Sequence, residues 1–309
     1  MHRIFIKGKM RLQSAMEYLL TYGWAILVVS VVLGALFSLG VFNPNTFSPR
    51  AHAGSCQVYR PFGPGTSVDI NLQGVCTDEL PLFVAHFNGN SGYVSVPSSP
   101  SLSPASFAIN AWIRWDGARY SSSSAEDWAA IISKGYYDSG TYAVLLHRAA
   151  GATDTTVNLY INDQLADSWV NSVLDTNWHM LTVTYDGSTA SIYLDGANES
   201  HSGFILMQAS PPQQVAPGPY PLAIGSQAYG SSYFWGGEIS NVQLYNATMD
   251  PETINSLYSE GIGGVPILLQ NLVGWWPLNG DTMDYSGNGN TGAASNLLYT
   301  SSWTSGYSG

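Results

Sequence analysis

The N-terminal part of the chain contains one long apolar run. No charged side chain occurs between Glu17 and Arg50, and residues 18–42 are almost entirely apolar. As a helix, residues 18–42 would be about 37 Å long, enough to cross a hydrocarbon core of about 30 Å. We therefore expect a transmembrane helix over residues 13–43, which ends where prolines begin a short linker over residues 44–54.

The remainder of the chain, residues 55–309, shows short apolar and polar alternations separated by Gly, Asn, Asp, Pro and Ser. Residues 107–115 alternate as expected of a half-buried strand. Residues 178–185 and 190–194 flank Asp186-Gly187, a turn typical of a β-hairpin. The sequence therefore predicts a mainly β chain, with a β-sandwich after the N-terminal helix. Further strands are predicted at residues 91–96, 129–134, 141–147, 156–161, 221–225, 237–246 and 271–278, and a short helix at residues 250–260.

The distribution of charge orients the predicted helix in a membrane. Because the basic residues precede the apolar run, the positive-inside rule places the N-terminus in the cytoplasm and residues 44–309 outside the cell. From Gln13 onward six basic residues face 21 acidic ones, so this part carries a net charge of about −15. Such a charge repels phosphate backbones and excludes nucleic acid as a partner. The basic residues before the run are Arg3, Lys7, Lys9 and Arg11.

The residues just before the apolar run do not fit a secretory signal peptide. Such a signal has an apolar region of about 7–15 residues followed by a small-residue cleavage site. This run is longer, and its polar residues precede it. Glu17 at the mouth of the helix is costly to bury without a partner. A cut before Gln13 would create an α-amine, in the same or a neighbouring chain, as the counter-ion of Glu17.

Residues 11–20, with the sequence Arg-Leu-Gln-Ser-Ala-Met-Glu-Tyr-Leu-Leu, resemble the class III signal peptide of archaeal type IV pilin-like proteins. The resemblance implies that a prepilin-type signal peptidase cuts between Leu12 and Gln13 and removes residues 1–12 as a cytoplasmic leader. It also implies that Glu17 sets the register of identical subunits in a filament. The residues before the cut depart from the family, which more often has a small or basic residue there. The alternative is an uncleaved signal anchor in which the acid only marks the membrane interface.

Several phrases of the β region resemble the laminin-G-like, or concanavalin A-like, jelly roll. The resemblance implies a two-sheet sandwich that presents an adhesion surface or a surface for glycan or protein recognition. The phrase at residues 272–281 departs from the family, in which a similar phrase usually opens the domain. It either supplies a permuted strand to the same sandwich or belongs to an edge shared between subunits. The phrases in family order are residues 87–96, 107–115, 132–135, 178–187, 192–196 and 234–245.

Cys56 and Cys76 are the two cysteines of the chain and lie in a stretch rich in Gly and Pro. In an exported protein we expect them to form one disulfide. Closing a loop of about 20 residues would stabilise this first segment of the sandwich by about 3 kcal/mol in the chain-entropy model. The alternative is two buried free thiols.

Oxygen donors gather in one Gly-rich loop near the C-terminus. Asp281, Asp284, Asn288 and Asn290 lie there, and calcium prefers carboxylate and carbonyl oxygens as ligands. Calcium is therefore the one cofactor that the sequence suggests. The alternative is a solvated Asx turn without a metal ion.

Aromatic residues concentrate in another predicted loop. Tyr229, Tyr233, Phe234 and Trp235 lie between predicted strands, and Tyr136-Tyr137 lies in a separate loop. Exposed rings at a sandwich rim can stack on sugars or contact a partner protein. Tyr229, Tyr233 and Trp235 are therefore candidates for binding an extracellular glycan or protein. The alternative is that these rings belong to the core.

Two triplets, Asn198-Glu-Ser200 and Asn246-Ala-Thr248, are acceptor sequons for N-glycosylation in the exported region. Both follow predicted strands. Such triplets also arise by chance in a chain rich in Asn, Ser and Thr.

The sequence does not predict an enzyme. Glycosidases need two carboxyl groups around one sugar bond, about 5 Å or about 6.5–9.5 Å apart. The Glu-x-Asp-x-x-Glu strand of catalytic jelly rolls is absent, as are a Gly-x-Ser-x-Gly elbow and a phosphate loop. We therefore expect a cell-surface, pilin-like subunit with a binding head. The alternatives are an uncleaved, monomeric, membrane-anchored lectin-like receptor and an anchored carbohydrate-active enzyme.

Overall fold

The computed structural model describes residues 22–34, 81–117, 126–135, 141–149, 155–171, 176–198, 215, 218–304 and 307. Several residues with predicted roles lie outside these ranges. They are the processing residues Leu12 and Gln13, the assembly residue Glu17, the proposed disulfide partners Cys56 and Cys76, and the loop pair Tyr136-Tyr137.

The N-terminal helix and the sandwich belong to separate compact units. Residues 22–34 are helical, and all of them are exposed. Among the described residues, no helix has both the length and the hydropathy needed to span a membrane. The observed helix lies in the middle of the one predicted at residues 13–43, and both ends of that prediction fall outside the described ranges.

Within the described ranges, the second unit forms fifteen strands in two antiparallel sheets. They are β1 (Val84–Asn88), β2 (Tyr93–Val96), β3 (Phe107–Trp115), β4 (Glu126–Lys134), β5 (Tyr142–Ala149), β6 (Thr155–Ile161), β7 (Gln164–Asn171), β8 (Trp178–Tyr185), β9 (Ala190–Leu194), β10 (Ala197–Asn198), β11 (Leu222–Ile224), β12 (Gly236–Tyr245), β13 (Leu272–Trp276), β14 (Ala293–Ser295) and β15 (Leu298–Thr300). Sheet A has the order β10-β9-β8-β3-β12-β1-β15, with β13 also paired to β12. Sheet B has the order β14-β2-β11-β4-β5-β6-β7.

The two sheets enclose one large apolar core because successive side chains of a strand point to opposite faces. In β3, Phe107, Ile109 and Ile113 belong to this core, whereas Trp112 belongs to a second cluster on the outer face. The Phe107 ring lies 5.0 Å from that of Tyr142, so the contact joins β3 of sheet A to β5 of sheet B. The predicted alternation of β3 is confirmed, and its outer face is buried as well.

A short helix, Pro251–Ser259, helps to cover the outer face of sheet A. It begins at Asp250, whose side chain accepts a hydrogen bond of 2.7 Å from the Thr253 amide. Such a carboxylate satisfies one of the free N–H groups of the first helical turn. On the apolar side of the helix, Tyr258 stacks on Trp112 with ring centroids 5.8 Å apart. The helix predicted at this position is confirmed.

The hairpin between β8 and β9 forms at the predicted Asp-Gly turn. The Asp186 carboxylate accepts hydrogen bonds from the amides of Ser188 (2.8 Å) and Thr189 (2.6 Å). Gly187 has a φ of +98°, a backbone conformation that side chains disfavour. The turn thereby pairs Tyr185 with Ala190 and sets the register of the two strands.

The C-terminal strands complete both sheets. β13 pairs with β12 in sheet A, so the phrase at residues 272–281 supplies a strand to the same sandwich. Of the two placements considered for this phrase, the permuted strand is the one observed. Farther along the chain, β14 pairs with β2 and β15 pairs with β1. The end of the described chain thus lies beside its first strands.

Candidate functional site

The connection between β11 and β12, residues 225–235, is referred to below as the aromatic loop. It is closed at its base, because the Trp235 amide donates to the Gly225 carbonyl over 2.8 Å. The Gly225 amide in turn donates to Ile131 of β4 over 2.9 Å, and Ala130 of β4 donates to the Tyr233 carbonyl over 2.7 Å. The loop is therefore attached along β4 of sheet B.

Trp235 anchors the aromatic loop from below. Its side chain is fully buried in the main core, where Phe87 also lies. A side chain at Gly225 would collide with the Phe87 ring, so glycine is required at this end of the loop. The Trp235 ring is completely removed from solvent and thus occupies the core position considered as the alternative for these aromatic residues.

Tyr229 and Tyr233 have unusual backbone conformations. Tyr229 is 58% exposed and has a φ of 58°, and Tyr233 is half-buried with a φ of 54°. A positive φ is rare for a bulky side chain and costs on the order of 1–3 kcal/mol, so the surrounding structure must enforce it. Two of the three predicted ligand-binding residues therefore lie in strained positions of one loop.

Gln227 adds an unsatisfied polar group to the same loop. Its side-chain oxygen accepts a hydrogen bond of 2.8 Å from the Ser232 hydroxyl, whereas its buried Nε2 has no acceptor among the described residues. A buried donor without a partner costs on the order of 1–3 kcal/mol. Strained and unsatisfied groups persist in native proteins mainly at functional sites. Their clustering in residues 227–233 makes the aromatic loop the candidate functional site.

Stacked rings continue from the aromatic loop onto the outer face of sheet B. Tyr233 stacks on Trp128 of β4 with ring centroids 5.8 Å apart, and Trp128 stacks on His147 of β5 at 3.9 Å. On the other part of the loop, Tyr229 meets Tyr220 edge to face at 6.4 Å. We call the rings of these five residues the aromatic surface.

Tyr93 of β2 supports the middle of the aromatic loop. Its ring lies 6.4 Å from that of Phe234. Gly230 has a φ of +60°, and a Cβ at this position would collide with the Tyr93 ring. The glycine therefore lets the loop backbone lie directly on an aromatic ring.

Sequence reasoning missed Trp128, His147 and Tyr220. Trp128 and His147 are cross-strand partners in the β4–β5 pair. Their stacking depends on strand register, which a single sequence does not supply. The available signal was weaker: the strand predicted at residues 141–147 ends on His147, and Trp128 immediately precedes the strand predicted at residues 129–134.

Carboxylates near the two ends of the aromatic loop form cross-strand ion pairs. Asp127, beside Trp128, pairs with Arg148 over 3.2 Å. Glu238 of β12 pairs with Arg114 over 2.8 Å and lies 3.1 Å from the His86 ring. These carboxylates thus link neighbouring strands.

The loop at residues 281–290 is held together by its own hydrogen bonds. The Asp284 carboxylate is buried and accepts bonds from the amides of Trp275 (3.0 Å), Ser286 (2.8 Å) and Asn290 (2.8 Å). Asp281 accepts bonds from the Met283 amide and the Tyr285 hydroxyl. The carboxylate oxygens proposed as calcium ligands are therefore engaged with N–H and O–H donors.

The two asparagines of this loop point their amide groups toward β13. Nδ2 of Asn288 donates to Leu272 over 2.8 Å, and Nδ2 of Asn290 donates to Val273 over 2.9 Å. In the part of the chain that the structure describes, no group of three or more His, Cys, Asp or Glu side chains is arranged to hold a metal ion. The bonds from Asp281 to the Met283 amide and from Asp284 to the Ser286 amide have the spacing of Asx turns.

The two sequons differ in what the structure describes. Asn246 and Thr248 are exposed in the turn after β12, and the Asn246 side-chain oxygen accepts a bond of 2.9 Å from Asn271. Asn198 lies in β10, but Ser200, the third residue of its sequon, is outside the described ranges.

Comparison with known proteins identifies the family. Residues 88–255 match the family described as the concanavalin A-like lectin/glucanases superfamily. The chain belongs to this superfamily. Membership confirms the predicted laminin-G-like jelly roll, and the superfamily name covers both binding proteins and hydrolases. The match begins at residue 88 and therefore does not reach the segment that resembles a pilin signal peptide. No curated protein matches the chain.

Solved structures of low sequence identity resemble the chain. One is a Bacteroides ovatus ATCC 8483 protein provisionally named for carbohydrate binding, with 16% identity and a TM-score of 0.49. That similarity covers 72% of this chain and 60% of the Bacteroides protein, so this chain spans less than two thirds of its length. A pentraxin from Limulus polyphemus has 11% identity and a TM-score of 0.47, and the similarity covers 70% of this chain and 94% of the pentraxin. Domains LG4-5 of the mouse laminin alpha1 chain have 12% identity and a TM-score of 0.38, and the similarity covers 62% of this chain and 48% of the laminin chain.

Proposed function

We propose that this chain presents a carbohydrate-binding sandwich at the cell surface, with the aromatic surface as its binding site. The observation that carries the proposal is the exposed Tyr229 ring, held in a strained conformation beside Tyr220. Membership in a superfamily named for lectins and glucanases supports a carbohydrate as the ligand class.

The aromatic surface suits the chemistry of sugars. The C–H faces of a sugar ring pack against aromatic rings, and a few polar groups orient the ring. Tyr229 and Tyr233 supply rings on one loop, and Trp128 and His147 extend the stack. The strain at the two tyrosines fixes the rings before the ligand arrives, which lowers the ordering cost of binding.

The N-terminal segment serves as the attachment in this proposal. Apolar side chains such as Trp24 (67%), Ile26 (64%) and Val31 (62%) are exposed along the helical residues 22–34. A water-exposed stripe of this kind is unfavourable, so the segment requires a lipid or protein environment. We propose that a prepilin-type peptidase processes it before Gln13 and that Glu17 registers identical subunits in a filament.

Binding is tested with the full-length chain in detergent on a panel of neutral polysaccharides. Tyr229→Ala is expected to weaken binding by about 30-fold, or about 2 kcal/mol, as for a central aromatic contact. Leu269→Ala is the matched control, because Leu269 is similarly exposed (63%) and lies beyond the opposite end of β12. Binding that survives Tyr229→Ala, or that is equally lost in the control, contradicts the proposed site. Turnover of a polysaccharide by the wild-type chain would indicate the hydrolase alternative.

Processing and assembly are tested separately. Mass spectrometry of the mature protein is expected to find Gln13 at the N-terminus, and an intact Met1 contradicts processing. Glu17→Ala is expected to abolish filaments seen by electron microscopy while surface exposure of the sandwich persists. If the wild type forms no filaments, the monomeric membrane-anchored receptor is the remaining alternative.

A further inference from the structure

Lys134, the last residue of β4, has a fully buried side chain. Its ammonium nitrogen lies within hydrogen-bonding distance of three oxygens: the Ser98 hydroxyl at 3.1 Å, the Gly218 carbonyl at 3.3 Å and the Tyr220 carbonyl at 2.6 Å. An ammonium group has three N–H donors and no acceptor. The three oxygens therefore match its donors one for one.

All three partners of Lys134 are neutral oxygens. Within the described ranges, no carboxylate pairs with it, and burial lowers the pKa of the Lys134 amine. A buried cation without a counter-ion is costly unless it is fully hydrogen-bonded. The presence of such a costly group at residue 134 therefore indicates that its three hydrogen bonds have a role of their own.

The bonds of Lys134 join three segments of the sandwich rim. Ser98 belongs to the connection from β2 to β3, whereas Gly218 and Tyr220 belong to the segment that leads into β11. The Ser98 hydroxyl also contacts the Gly218 carbonyl at 3.2 Å. Tyr220, whose carbonyl makes the shortest of these bonds, places its ring against Tyr229 of the aromatic loop. One buried amine thus fixes the backbone that carries the neighbour of the exposed tyrosine.

We propose that Lys134 is a positioning residue of the carbohydrate site. Its ammonium group holds residues 218–220 so that Tyr220 supports Tyr229 in the conformation that meets the ligand. Lys134 itself does not touch the ligand. This inference rests on the proposed function, and it adds a residue that acts from inside the sandwich.

The first test replaces the charge and keeps the shape of the stem. Lys134→Met in the full-length chain is expected to weaken polysaccharide binding about tenfold, because the carbonyls of residues 218–220 lose their donor. Tyr142→Phe is the matched control. Tyr142 is the cross-strand partner of Lys134 and is also buried, but its hydroxyl donates to the Leu102 carbonyl rather than to the carbonyls that Lys134 binds. Affinity in this control is expected to equal that of the wild type.

Chemical rescue separates the role of the ammonium from a merely structural one. Lys134→Ala removes three carbons and the amine, so added n-propylammonium is expected to restore most of the lost affinity. The neutral n-propanol, of the same shape, is expected to restore none, and neither compound should alter the wild type. Rescue by both compounds, or by neither in a folded variant, overturns the proposal, as does wild-type affinity in Lys134→Met.

Hydrogen exchange keeps the inference testable if no carbohydrate binds. Exchange of the amides of Gly218, Tyr220 and Leu222 is expected to accelerate about tenfold in Lys134→Met and to stay unchanged in Tyr142→Phe. Unchanged exchange in both variants overturns the positioning role. If the exchange differs as expected but the wild type binds no polysaccharide, the proposed function fails and the clamp by Lys134 stands. If Lys134→Met does not fold, the same hydrogen-exchange comparison is made on Lys134→Ala refolded with and without n-propylammonium.

Discussion

The buried carboxylate of Asp284 allows a sharp distinction between a structural acid and a calcium ligand. Its two oxygens accept three backbone hydrogen bonds, from Trp275, Ser286 and Asn290. Asp284→Asn keeps the shape of the side chain and turns one oxygen into an amide donor. At least one of the three amides then faces another donor in a buried setting, so the loop and the end of β13 lose stability.

The size of this effect follows from the kind of bond that is lost. A hydrogen bond to a charged group contributes about 1.5–3 kcal/mol, and we expect Asp284→Asn to cost about 2–3 kcal/mol. For a domain of this size the change corresponds to a melting temperature lower by roughly 5–10 °C. Differential scanning fluorimetry of the full-length chain in detergent measures it. Asp281→Asn is the control and should cost less, because the half-buried Asp281 makes only two such bonds.

The same melting experiment tests the calcium alternative. If Asp284 serves the loop alone, adding calcium or EDTA leaves the melting temperature of the wild type unchanged. A wild-type melting temperature that rises with calcium, together with an Asp284→Asn variant that no longer responds, would refute the structural argument. A variant as stable as the wild type would refute it as well.

Three further substitutions test other parts of the structure. Partial burial raises the pKa of Asp186, but hydrogen bonds from Thr189 and Ser188 outweigh it and lower that pKa. The Asp186 carboxylate therefore stabilises the folded state fully above about pH 4, and this contribution is lost as the pH falls through the lowered pKa. Unfolding followed during acid titration should show a smaller loss of stability in Asp186→Ala than in the wild type. Gly230→Ala should lower the free energy of unfolding, measured in urea, by about 1–3 kcal/mol, because the added Cβ meets the Tyr93 ring at a positive φ. A variant as stable as the wild type would show that the loop can shift freely. Expression in a host that glycosylates asparagine should add mass at the exposed Asn246, and Asn246→Gln should remove it; an unmodified wild type contradicts this site.

Most of the fold was predictable because its strands alternate and its turns are chemically distinctive. The strand over residues 107–115 and the hairpin at Asp186-Gly187 appear where the sequence indicated. The strands β1, β7, β10, β14 and β15 were missed. β7 carries Asp167 and Ser168 in its interior, and such polar residues weaken an alternating pattern. β1, by contrast, is short and mostly apolar, with one half-buried and one exposed residue, and so short a run shows no clear alternation.

The candidate site was predictable only in part. The tyrosines of the aromatic loop stood out because four aromatic residues follow closely in one segment. The sequence did not distinguish Trp235, which is buried, from Tyr229, which is exposed, because neighbouring residues of a loop follow no fixed alternation. Trp128 belongs to the site because strand register places it opposite His147. Lys134 belongs to it because its buried side chain, at the end of β4, binds the backbone of Tyr220. Both properties depend on partners that are distant in the sequence.

The pairing of β15 with β1 has a consequence for the biogenesis of this protein. Leu298 lies opposite His86, so an early strand finds its neighbour only after nearly the whole domain has been synthesised. Contacts between such distant parts of a chain form slowly, because a long loop must close first. The sandwich therefore cannot finish folding while its end is still in the ribosome. A stop codon before Leu298 would remove β15 and leave that edge of β1 open to aggregation.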